Sequence, residues 1–503
     1  IRSVIILGGG SAGFLAAVTL RAKIPDLPVV VVRSKDIGII GVGEGTLVSF
    51  VTHLHGYVGL DPATFYREAD PVWKLGVRYL WGRRPWFDYV FGYQLDSRYA
   101  ALRKHTGFYV DDAPDAFADV GITTGLMSRN RAFLRAPDGG PVVPRDHAYH
   151  LENEKFVAYL ERQAARLGVG VVDATVTEVR QDDRGVTGLV LGDGTVATAD
   201  LYIDCSGFRS ALLGKALGEP FVSFKSSLFC DRAVVGGWDR PDTAAEPIQP
   251  YTVAETMDAG WCWRIDHVHR VNRGYVYSSA FLTDEQAEAE FRRKNPKVGP
   301  TRVVRFVTGR YERAWVKNVL ALGNANGFVE PLQATSLAAT CTAAQNLTEL
   351  LLDADRNPTP TMVGLFNRRN AEDWDAIRRF LAVHYRFNGR LDTPFWQACR
   401  ETVDLAGAEP VVAFYRENGP TPIWGSTLLP HRDQFGPEGY LSLLLGQGVP
   451  HSRAYGPTPA EREAWGTIRR AVGAKAAAGL TVEEALARVR SPGWRWDPAL
   501  YRA

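Results

Sequence analysis

The chain has 503 residues, of which 46% are hydrophobic and 23% charged, enough to bury one large core or two, and its formal net charge of +2 leaves no basic excess for a polyanion. No apolar run of about eighteen residues is available to span a bilayer, and the apolar start Ile1–Gly10 breaks into glycines too soon for a signal peptide. These features argue against nucleic acid and membrane as partners and predict a cytoplasmic protein. Cys205, Cys230, Cys262, Cys341 and Cys399 are odd in number and widely spaced without a CxxC pair, which predicts reduced thiols, mostly core, and no metal site.

In chain order, the apolar run Ser3–Leu7, a glycine turn and the helical spacing of Leu15, Val18 and Leu20 read as strand, turn and helix, and Val29–Val32 adds the second strand of a parallel βαβ unit. Trp73, Leu75, Val77 and Tyr79 alternate with Lys74, Gly76 and Arg78, which predicts one strand with Lys74 and Arg78 on its polar face. From Val171 to Asp204, strand-like segments separated by Asp182–Gly185 and Gly192–Gly194 predict a β-meander whose last run, Leu201–Ile203, returns to the first sheet. Residues Ser336–Leu352 and Met362–Tyr385 read as helices divided by the breaker Asn357-Pro358-Thr359-Pro360. The expected organisation is an α/β core over residues 1–340 and a mainly helical region over 341–503, packed as one body.

Gly8-x-Gly10-x-x-Gly13 lies between the first strand and helix, where glycines permit a tight turn and bring backbone amides, including those of Ser11 and Ala12, to a pyrophosphate. The acid that would hold an adenosine ribose is missing, because Arg33 and Ser34 follow Val32; Arg33 could instead stack on adenine. Four further segments complete the pattern: Gly41-Val42-Gly43-Glu44-Gly45-Thr46, Asp204-Cys205-Ser206-Gly207-Phe208-Arg209-Ser210, Trp73-Lys74-Leu75-Gly76 and Gly323–Ser336, which reads GNANGFVEPLQATS. Gly260-Trp261-Cys262-Trp263-Arg264-Ile265-Asp266 reads as a strand that buries Trp261, Trp263 and Ile265 on one face.

With these segments in this order, the chain resembles the flavin-dependent halogenases of the tryptophan halogenase family over about residues 1–400. The resemblance implies an FAD-binding Rossmann-like domain of the GR2-type flavin monooxygenases, with a β-meander and a substrate sheet. It places flavin contacts at Gly8, Gly10, Ser11, Ala12, Gly13, Arg33, Gly43, Glu44, Gly45, Asp204, Gly323 and Asn324, and a chloride or bromide at the amides of Thr335 and Ser336. It also implies that FADH2 comes from a separate NAD(P)H-dependent flavin reductase without a stable complex, and it is compatible with a homodimer. Hypohalous acid would be guided to Lys74, which would present an electrophilic halogen to an indole, pyrrole or phenol.

Two positions depart from the family's pattern. Gln333 stands where the family usually places a catalytic glutamate; an amide offers no useful basicity, and a carboxylate there is expected to lie within reach of Lys74. Asp266 stands where the W-x-W-x-I-P signature has proline. Two other readings stay open at this stage: a flavin monooxygenase that hydroxylates an aromatic and has no use for Lys74, and a flavin-binding homologue without activity.

Overall fold

Val4, Ile5 and Ile6 form a strand buried on both faces, the environment of a central strand in a parallel sheet. In the computed structural model, which describes residues 1–38, 41, 43–91, 102–103, 118–421, 427–430, 433–453, 455–497 and 499–501, this strand pairs in parallel with Val29–Arg33 and Leu201–Asp204. Gly170–Asp173 extends the sheet on one side; Val319–Ala321 and the antiparallel edge Trp315–Val316 extend it on the other. The helix Ser11–Lys23 buries Phe14 through Leu20 and packs against helices Asn153–Arg166 and Ser336–Asp353. The meander forms as expected, with Val176–Asp182, Gly185–Leu191 and Val196–Ala197 antiparallel before the chain re-enters the first sheet.

A second sheet of seven strands runs in the order Arg302–Arg305, Arg232–Asp239, Arg270–Tyr277, Gly260–Asp266, Thr252–Met257, Gly76–Leu80 and Phe87–Val90. Trp261, Trp263 and Ile265 alternate along their strand into one apolar cluster shared with Phe380, Tyr385 and Trp396. The two long helices form at Ser336–Asp353 and Pro360–Arg386, the latter capped by Thr359 with Pro360 in its first turn. Both large cores take residues from either side of position 340; Val482, Ala485 and Leu486 pack in the cluster that holds Val72, Trp73 and Leu75. All five cysteines are free thiols and four of them are buried. Among the described residues no helix is long and apolar enough to cross a membrane, and no group of three or more His, Cys, Asp or Glu could hold a metal ion.

The single strand expected over Trp73–Leu80 is two strands in two sheets. Val72–Lys74 pairs with Ala148–Leu151 beside Glu44–Gly45, whereas Gly76–Leu80 joins the seven-stranded sheet. Leu75 sits at the crossing, its amide donating to the Pro250 carbonyl at 2.7 Å. Alternation survives this change because both pieces are extended, yet the sheet switch separates the two cations. Arg78 pairs with buried Asp88 at 2.8 Å and stacks against Trp86 and Tyr251. Lys74 goes into the interior.

Asp266, unexplained as a replacement for proline, has a structural partner set. Its carboxylate accepts from Arg240 at 2.9 Å, Arg264 at 2.8 Å and the Gln249 amide at 3.1 Å, and neither Asp266 nor Arg240 exposes any side-chain surface. A buried guanidinium stripped of its carboxylate costs about 3–5 kcal/mol. Asp266→Asn is therefore expected to lower the unfolding free energy by a loss of that size, read in urea denaturation; an unchanged midpoint would show that the pair is dispensable.

Candidate functional site

The first glycine turn is shaped by close approach. Gly8, at φ +123°, leaves no room for a Cβ, which would lie 2.2 Å from the Cys205 carbonyl oxygen, and a Cβ on Gly13 would lie 1.9 Å from Gly8 O. Gly10, in contrast, faces open space with nothing within 4 Å of a Cβ, and the helix that follows it has no side-chain cap. The first N–H groups of Ser11, Ala12 and Gly13 are thus left for an anion, as an FAD pyrophosphate requires. The other glycine-rich segments close on the same place. Gly323 abuts Ala12, and Ser210 Oγ donates to the Ala325 carbonyl at 2.8 Å. Asn324 is half-buried and hydrogen-bonds to no described residue, which leaves its amide for a ligand.

Two expected flavin residues have partners within the protein. Arg33 makes a two-pronged pair with Glu161 at 2.9 and 2.6 Å, and its stem packs on Gly9. Asp204 is fully buried and accepts from Ser206 N, Ser206 Oγ, Leu212 N and Leu213 N, so its carboxylate shapes the loop that follows the strand. Asn153 holds the next loop by accepting from Gly43 N at 3.1 Å and donating to Glu44 at 2.9 Å. These groupings fit an FAD: unpaired amides for the phosphates, and three loops braced against one another around them.

Lys74, Gly45 and the 333–336 segment meet at one point. A Cβ on Gly45 would lie 3.2 Å from Ala334 Cβ, 3.4 Å from Lys74 Nζ and 3.7 Å from Thr252 Oγ1. Lys74 exposes no surface, donates to the Thr46 carbonyl at 3.0 Å and lies 5.2 Å from the centre of the Phe91 ring. Burial pulls its pKa down from 10.5 to about 7, so both ammonium and amine are populated near neutrality. His150, which hydrogen-bonds Thr252 Oγ1 at 2.9 Å, lines the same space. Alanine 334 is in the left-handed region at φ 55°, which turns the chain just before the helix Ser336–Asp353. Thr335 Oγ1 is buried without a partner, and the helix has no side-chain cap, so Thr335 and Ser336 present unpaired donors suited to a halide.

Gln333 turns to a different wall. His384 Nδ1 must donate to the Phe380 carbonyl at 2.9 Å, which leaves Nε2 as an acceptor; the Gln333 amide nitrogen donates to it at 3.0 Å and to Tyr79 OH at 2.8 Å. Tyr79 OH in turn donates to Leu332 O at 3.2 Å. Burial holds His384 neutral, with a pKa near 3. Glu330 is buried as well; it accepts from Trp261 Nε1 at 3.0 Å and Tyr385 OH at 2.6 Å, and burial raises it to about 7. Sequence reading missed Tyr79, His150, His384 and Tyr385, since none of them lies in a local motif and each is brought to the site only by packing.

Two substitutions test this electrostatic picture. Between pH 10.5 and about 7 the unfolded chain holds a proton on Lys74 that the folded chain releases, so this lysine costs stability that grows as pH falls through that window and is constant below it. Lys74→Met is expected to raise Tm by a margin that widens from pH 10.5 to 7, measured by calorimetry; a pH-independent margin would mean that Lys74 titrates as in water. Gln333→Glu replaces the donor to Tyr79 and His384 with an acceptor, and an unpaired buried polar group costs about 1–3 kcal/mol. An added proton repairs the contact, so the folded state gains proton affinity and the loss of stability should be smaller at pH 5 than at pH 8. Equal urea midpoints for parent and variant at pH 8 would refute the assigned donor direction.

Residues 3–460 match the sequence model of the family described as tryptophan halogenase. The chain is 32% identical over 443 residues to the tryptophan 7-halogenase RebH of Lentzea aerocolonigenes, covering 83% of this chain and 82% of that one. Among solved structures it is similar to MibH, a lanthipeptide tryptophan 5-halogenase, at TM-score 0.87 and 40% identity over 98% of this chain and 94% of the other. BrvH, a flavin-dependent halogenase from Brevundimonas sp. BAL3, superposes at TM-score 0.84 with 30% identity, covering 98% and 99%. With its glycine loops, buried lysine and unpaired helix amides in the arrangement described, the chain belongs to the tryptophan halogenase family of flavin-dependent halogenases.

Proposed function

We propose that the protein installs chlorine or bromine on an electron-rich aromatic ring, foremost the indole of tryptophan, with Lys74 guiding hypohalous acid to the reacting carbon. The observation that carries this reading is the meeting of Lys74 Nζ, the glycine-rich loop and Ala334 around Gly45, because it joins an amine to the segment with free donors for a halide. A reduced flavin, when bound, supplies the electrons with which oxygen oxidises the halide. The glycine turn at Gly8–Gly13, the loop Gly43–Gly45, and Gly323 with Asn324 are the groups that would hold it. Thr335 and Ser336 would hold the halide with unpaired N–H and O–H donors.

Lys74 acts at the ring end. As an ammonium it hydrogen-bonds hypohalous acid; as an amine it takes up the halogen, and a pKa near 7 permits either form. The ring carbon then gains the halogen and loses its proton. Gln333 contributes only an amide committed to Tyr79 and His384, so the proton must leave without a carboxylate at that position, which favours rings activated enough to lose it to water. A hydroxylating reaction would gain nothing from a buried lysine. The 40% identity to a halogenase of a lanthipeptide tryptophan favours, as a second reading, an indole presented within a peptide.

With FAD, a separate flavin reductase, NADPH and chloride or bromide, Lys74→Ala is expected to lose halogenated product by at least ~10²-fold while oxygen uptake by the reduced flavin continues. Mass spectrometry of halogen isotope patterns beside an oxygen electrode reads both. Halogenation that survives in the variant would take Lys74 out of the reaction.

A further inference from the structure

We propose that an arginine-lined cavity on the helical half of the molecule docks an acidic segment of a peptide substrate; this rests on the reading of the site as a halogenase of a peptide-borne aromatic. A cavity of about 260 Å³ is lined by Arg83, Arg386, Arg400, Arg416, Phe387 and Gln447, among others. Arg400 is paired with Asp392 and tied to the carbonyls of Asn388 and Leu391. Arg83, Arg386 and Arg416 have no ion pair among the described residues, and Arg416 lies over the Phe387 ring at 5.5 Å. Three uncompensated guanidinium groups at one opening repel one another and call for an anion, and their planar forks match carboxylates.

Gln447 is part of the cavity lining. It is 1% exposed, its amide nitrogen donates to the Val383 carbonyl at 3.1 Å, and its Oε1 has no partner.

The cavity is fastened to the reaction site but turned away from it. Trp81 Nε1 donates to His384 O at 2.8 Å and Gly82 N to Asn388 Oδ1 at 2.9 Å, so the segment from Tyr79 to Arg83 and the helix end move as one piece. Residues two apart on a helix face opposite ways, so Arg386 points away from the Gln333 amide that His384 meets. On this proposal the aromatic at the site and the acidic segment at the cavity belong to one peptide chain.

The test uses a fluorescently labelled peptide with one tryptophan and several aspartates and glutamates, its Asn/Gln counterpart, and free tryptophan. Anisotropy with the parent is expected to show the acidic peptide bound about tenfold more tightly than the neutral one, the size that a few exposed ion pairs supply, with the difference fading in high salt. In Arg83→Glu/Arg416→Glu that preference should vanish, while Tm is unchanged and turnover of free tryptophan stays within about twofold of the parent. Equal affinity for the two peptides, or a preference that persists in the double variant, overturns the proposal. Displacement of the acidic peptide by inorganic pyrophosphate at lower concentration than by its own unlabelled form would also overturn it, in favour of a phosphate site. Binding needs no turnover: if nothing is halogenated while the tenfold preference holds, the docking surface stands and the halogenase reading falls.

Discussion

Gly45 has no side chain, and three segments distant in sequence close on the space that a Cβ would fill. One is the strand end at Lys74, another is the turn at Ala334, and the third is the strand start at Thr252. An added methyl group would press on Ala334 Cβ at 3.2 Å and Lys74 Nζ at 3.4 Å, and a close-packed interior has little slack to relieve it. The strand pairing around it fixes the approach: Gly45 faces His150 across one ladder, and Val72 faces His150 across the next. The relative placing of the Lys74 strand and the Gly45 loop is therefore set by their shared pairing with Ala148–Leu151.

Around that point, burial dominates over ion pairing. Among the described residues the Lys74 ammonium donates to the Thr46 carbonyl and lies near an aromatic ring, and Glu330 accepts from the neutral donors Trp261 and Tyr385. Desolvation pulls the base down and the acid up until both lie near 7, while His384 is held neutral. The charged pairs Arg78–Asp88 and Arg240–Asp266 brace the second sheet.

The departures from the family pattern acquire physical reasons in three dimensions. Gln333 is a donor to two acceptors, which an ionised glutamate could not be. Asp266 neutralises a fully buried arginine. Arg33 is spoken for by Glu161, a residue 128 positions away that no local motif signals.

Much of the molecule was legible in the residues alone. Glycine spacing, the apolar strands flanking it, the alternation of Trp261, Trp263 and Ile265, and the breaker at Asn357–Pro360 are local signals, because turn sterics and side-chain periodicity act over a few residues. They determine the parallel sheet, the meander, the two long helices and the nucleotide loop. Local alternation could not tell that Val72–Lys74 and Gly76–Leu80 belong to different sheets, since both are extended and only their partners differ. Nor could it show which way Gln333 turns, which residues accept from it, or that four arginines from four separate stretches line one cavity. Those are consequences of which surfaces the folded chain brings within a few ångströms, and hydrogen bonding, desolvation and charge repulsion act only at such distances.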